Sequence, residues 1–107
     1  MKELNLEDGH PTVAEAMALL KDKIKSLKKG EIIVLIHGYG SSGKGGKIRV
    51  EARSWLKAQE RNGKLSKVVE GEEFEMFNFK AMELKNRDKA LIEYYGKGNH
   101  GVTIVEK

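Results

Sequence analysis

The run Ile32-Ile33-Val34-Leu35-Ile36-His37-Gly38-Tyr39-Gly40-Ser41-Ser42-Gly43-Lys44-Gly45-Gly46-Lys47 joins the most apolar segment of the chain to its most glycine-rich one. Ile32 to Ile36 is continuous, apolar and mostly β-branched. Such a run predicts a strand covered on both faces, central in a sheet with helices packed on it. His37 to Lys47 holds five glycines and two serines in eleven residues. Glycine lets the backbone come close to a ligand, and successive free N–H groups can cradle an anion. The positive end of a following helix adds to this. Lys44, Lys47 and Arg49 supply charge, and an arginine can pair two phosphate oxygens at once.

Upstream, Leu4-Asn5-Leu6 alternates and is read as a first or edge strand. Glu7 to Pro11 reads as a turn, with Pro11 suited to a first helical turn. Val13, Ala16, Met17, Leu20, Ile24 and Leu27 recur at helical spacing. Lys28-Lys29-Gly30 is a fitting stop, with cations near the carbonyl end and glycine after them. Downstream, a second helix is expected from near Ile48 to about Arg61. Ile48, Ala52, Trp55, Leu56 and Gln59 share one side of it, and Trp55 and Leu56 are read as core. Asn62-Gly63 ends it. Lys67 to Glu70 reads as a strand and Val102 to Val105 as another. Between them, Glu72 to Tyr95 is charged and aromatic, with one or two short helices expected. It is followed by a second glycine-rich loop, Gly96 to Gly101.

The order is β-α-β-α-β-insert-β. Right-handed crossovers make the first three strands parallel, so their carboxyl ends share one edge. A last strand antiparallel to the third brings its leading loop back to that edge. Glu7–His10, His37–Lys47 and Gly96–Gly101 then converge where open α/β sheets bind ligands.

The 107 residues suit one domain. No apolar stretch is long enough for a membrane helix, and Met1 to Leu6 does not read as a signal peptide. No membrane partner is expected. Cysteine is absent, which removes disulfides and thiolate metal sites. The simplest compartment is the cytoplasm. A net charge of +4 and a pI near 9.3 permit polyanionic partners without requiring them.

Two lookalikes fail on chemistry. Gly38 to Lys44 has the spacing of a P-loop, but Gly45 follows where a magnesium-binding hydroxyl is needed. The strand-then-His-Gly segment resembles that of α/β hydrolases, yet no G-x-S-x-G nucleophile elbow occurs.

A set of short motifs, taken in order, resembles the Smr (small MutS-related) family. The set is Leu4-Asn5-Leu6, Thr12-Val13-Ala14-Glu15-Ala16, Ile36-His37-Gly38-Tyr39-Gly40, Ile48-Arg49, Trp55-Leu56 and Gly98-Asn99-His100-Gly101-Val102-Thr103-Ile104-Val105. It spans nearly the whole chain. The resemblance implies a single α/β domain over residues 1–107. It implies a small two-layer sandwich with a mixed four-stranded sheet, like the C-terminal domain of translation initiation factor three. It also implies nucleic-acid binding and, in several members, DNA-nicking or RNA endonuclease activity. Asn5 stands where the family has aspartate and Glu7 where it has histidine, so the first motif is degenerate. Asparagine cannot act as a general base. The segment from about 72 to 95 is longer than the family's usual link.

The candidate nucleic-acid contacts are therefore His37, Gly38, Tyr39, Gly40, Lys44, Lys47 and Arg49. Tyr39 is suited to stacking on a base. Glu7, His10, His37 and His100 are the candidates for catalysis. The three histidines could gather into a cluster that shuttles protons or, in a nuclease, works with a divalent cation such as Mg or Mn. His37 could equally bond a loop carbonyl and hold the loop's shape. Three functions are compatible with these residues: binding of DNA or RNA, nuclease action, and protein docking through the 72–95 insert.

Overall fold

A computed structural model describes residues 1–38 and 44–107, and for Lys44 the backbone alone. The elements in chain order are β1 (Lys2–Asn5), α1 (Val13–Ser26), β2 (Ile32–Ile36), α2 (Lys44–Arg61), β3 (Lys67–Glu70), α3 (Phe79–Arg87) and β4 (Val102–Glu106). Two 3-10 segments, Gly71–Glu73 and Lys89–Tyr94, flank α3. The strands lie in the order β1-β2-β4-β3. β1 runs parallel to β2, while β4 is antiparallel to both β2 and β3. The mixed sheet and the order of elements are as expected.

β2 alternates between two cores, as period-two side chains must. Ile33 and Leu35 pack with Leu20, Ile24, Ala52 and Leu56 beneath α1 and α2. Val34 packs with Phe74, Leu84, Leu91 and Ile104 on the opposite face. The insert therefore builds a third layer, where two were expected. The reason lies in β2 and β4 themselves. Val34, Ile104 and Val102 leave an apolar second face that water would otherwise cover, and Phe74, Ala81, Leu84 and Leu91 bury it.

α1 opens with a reciprocal capping box. The Glu15 N–H donates to Thr12 Oγ1 at 3.1 Å, and the Thr12 N–H donates to Glu15 Oε1 at 2.9 Å. Thr12 is thus the cap, and Pro11 stands one residue outside the helix. α2 starts at Lys44, four residues earlier than expected, and takes in Gly45 and Gly46. Its buried stripe is Ile48, Ala52 and Leu56. Trp55 is only partly buried and flanks that core instead of filling it. At the base of the sheet the buried Glu106 is held by Lys67 and Arg87. Among the described residues no helix is long and apolar enough to cross a membrane.

Candidate nucleic-acid interface

The carboxyl ends of β1 and β2 and the start of β4 meet at one edge. The Leu6 N–H donates to Ile36 O at 2.7 Å. Both His37 N–H and Gly38 N–H donate to Gly101 O, at 2.9 and 3.0 Å. The loop after β2 and the loop before β4 are therefore stitched through a single carbonyl. Glu7 reaches the same place. A Cβ on Gly38 would stand 2.3 Å from Glu7 Oε2, and Gly38 has φ +73°. The left-handed backbone is what asks for glycine here, since the Glu7 carboxylate is the end of a flexible side chain that can give way.

Asn5 has a local task. Its Oδ1 accepts the Glu7 N–H at 2.9 Å, an Asx turn that launches the Glu7–His10 turn. His10 sits in that turn, exposed, at φ 52°.

His37 is fully buried. Its Nδ1 lies 3.1 Å from Gly38 O and its Nε2 lies 2.8 Å from Thr103 Oγ1. The neighbours fix the tautomer. A carbonyl can only accept, so Nδ1 carries the proton and donates. Arg53 Nε donates to the same Thr103 oxygen at 3.0 Å, which leaves the hydroxyl proton for Nε2. Burial holds this histidine neutral and lowers its pKa to about 4. The Gly38 carbonyl favours the proton, but less strongly.

Arg53 spends its donors on the surrounding chain. Beyond Thr103 it pairs with Glu72 at 2.7 and 2.9 Å, and it reaches Val102 O at 3.0 Å and Glu70 Oε2 at 3.4 Å. Burial is the largest single influence on the Glu72 carboxyl and would raise it, but the Arg53 hydrogen bonds, a backbone N–H and the charge of Arg53 together outweigh it and hold its pKa at about 2. Glu72 Oε2 also meets His100 Nδ1 at 3.0 Å. The turn that carries Glu72 fits closely against the β4 loop, since a Cβ on Gly71 would stand 2.1 Å from Asn99 O. His37 and His100 are therefore linked through Thr103, Arg53 and Glu72. His37 is the buried end of this chain of bonds and His100 its exposed end.

The expected histidine cluster does not form a metal site. Among the described residues no three His, Asp or Glu side chains converge to hold an ion. His37 has turned its ring into the protein, and His100 faces Glu72. Of the expected phosphate contacts, Lys47 is exposed and Arg49 half-buried in the first turns of α2. Neither is ion-paired among the described residues, and the first turn carries no acidic residue. Tyr39, Gly40 and the Lys44 side chain lie outside the described residues.

Arg53, Thr103, Glu70 and Glu72 were not singled out from the sequence. One signal was available. Arg53 lies between Ala52 and Leu56 at the margin of the buried stripe, where a charge needs partners. Comparison with family models, curated proteins and solved structures finds no match to this chain.

Proposed function

We propose that this domain binds the phosphate backbone of DNA or RNA at the carboxyl edge of its sheet. One observation carries the reading. The acid-free first turn of α2, with Lys47 and Arg49 unpaired by other described residues, opens at an edge where three chain segments are locked together. A fixed backbone frame beside cations that no other described residue pairs suits a polyanion of regular spacing. The resemblance to the Smr family supports the same reading, with Gly38, Gly40 and Lys44 as further contacts. A cytoplasmic setting goes with it.

The bonding of His37 favours binding over cleavage. Its one basic nitrogen is occupied by Thr103 and shielded from solvent, so it has no lone pair for a reacting water. We assign it to positioning Gly38. Mobility shifts on duplex and single-stranded DNA and RNA at two salt concentrations test this reading, with plasmid nicking in magnesium as a second measurement. The expected result is salt-sensitive, sequence-tolerant binding without nicking.

A second reading has its own observation. Met76, Phe77 and Phe79 in the insert are 62%, 88% and 81% exposed, and a run of bare apolar side chains is what a protein-docking surface presents. Failure to bind nucleic acid at low salt, together with self-association or aggregation abolished by Phe77→Ser and Phe79→Ser, would favour it.

A further inference from the structure

At the opposite end of the sheet, α1 and α2 leave a cavity of about 460 Å³ between them. Ile24, Trp55 and Leu65 form its apolar floor. Lys21, Lys25, Lys64 and Lys107 form its rim, and no carboxylate side chain lines it. Helical spacing makes this arrangement. Lys21, Ile24 and Lys25 share one face of α1, and Trp55 with Gln59 shares one face of α2.

The charge is uncompensated among the described residues, since none of the four lysines forms an ion pair there. The Lys21 ammonium lies 5.8 Å from the centre of the Trp55 ring. Lys107 Nζ donates to the carbonyls of Ile24 and Lys25 at 2.9 and 3.2 Å. It thereby covers the negative end of α1, which would otherwise repel an anion.

We propose that this cavity binds a small amphiphilic anion, an acyl or aryl chain ending in a carboxylate or sulfonate. The apolar floor takes the body and the lysine rim takes the head. The volume falls within the range of small-molecule clefts, about 300–1,000 Å³. An apolar floor flanked by a single neutral amide, Gln59, favours a hydrocarbon body over a ribose. This inference does not depend on the nucleic-acid reading, because the cavity lies at the other end of the sheet.

Trp55 is the only tryptophan in the chain and reports directly on the site. The test titrates the full chain with anilinonaphthalene sulfonate while exciting Trp55. Quenching of Trp55 with a matching rise in probe emission, saturating at one probe per chain, is expected. Decanoate should displace the probe and decanol at equal concentration should not. The exposed pair Lys25→Glu and Lys64→Glu should weaken binding at least about tenfold with an unchanged circular-dichroism spectrum. Lys25→Gln alone should weaken it less, and it gives the same answer if the reversed pair fails to fold. The proposal is overturned if decanol competes as well as decanoate, or if the probe binds without quenching Trp55. Binding unchanged in these variants would also overturn it. So would displacement by an acidic peptide or a nucleotide where decanoate fails, since the occupant would then belong to another class.

Discussion

His37 Nε2 and Thr103 Oγ1 meet at 2.8 Å across β2 and β4, and the same hydroxyl receives Arg53 Nε at 3.0 Å. One small side chain thus satisfies a buried imidazole and a nearly buried guanidinium. Thr103→Val keeps the shape and removes both bonds. It should cost about 1–3 kcal/mol, the penalty for stranding buried polar groups. Thr103→Ser should cost much less, because it restores the hydroxyl. Urea unfolding of the two variants checks this, and a loss in Thr103→Ser as large as or larger than that in Thr103→Val would show that the hydroxyl is not what holds the two groups.

The buried histidine also sets an acid dependence. Folding holds His37 at about 4, below its ordinary 6.5, so the unfolded chain binds the proton first. The His37 contribution should therefore fall as pH drops from about 6.5 to about 4 and level off below, a loss of up to about 3 kcal/mol. Glu72 acts in a lower window. Its folded pKa is about 2 against an ordinary 4.5, so its contribution is present above 4.5 and fades toward 2. In His37→Gln the first limb should vanish and the second remain, each measured against that variant's own stability at neutral pH. Persistence of the first limb would assign it to another group.

The contact of Glu7 with Gly38 can be separated into its parts. Gly38→Ala adds a Cβ against the Glu7 carboxylate at a residue with φ +73°. The backbone part alone should cost about 1–2 kcal/mol. The steric part should disappear when Glu7 is already alanine. A double-mutant cycle on unfolding should therefore show Gly38→Ala costing less in the Glu7→Ala background. Equal costs would show that the backbone alone demands glycine.

Glu7 also places a negative charge at the proposed backbone site. Glu7→Gln should tighten nucleic-acid binding several-fold, most visibly at low salt, because it removes repulsion from phosphate. Weaker binding would instead make Glu7 a positive contributor to the interface.

Much of this was legible where one pattern dominated. Ile32 to Ile36 announced a strand buried on both faces, and Val13 to Leu27 announced α1. The start of α2 was misplaced because Gly45 and Gly46 are poor helix formers locally, whereas Ile48 docked in the core extends the helix through them. α3 was only half legible. It buries just Ala81 and Leu84, too few to show a period. The Arg53 network was hidden for another reason. Its partners come from β3, from the turn after it and from β4, so no local spacing joins them.

The salt dependence of nucleic-acid binding reads out the proposed phosphate contacts of this sheet edge. Affinity for a short duplex is measured across salt for the wild type and for the Lys44→Ala, Lys47→Ala double variant. Each lysine that neutralises a phosphate contributes about 0.9 to the slope of log affinity against log salt. The variant should bind more weakly and with a slope shallower by nearly twice that contribution, on every sequence tried. Wild-type affinity and slope in the double variant would contradict the placement of the phosphate backbone at this edge.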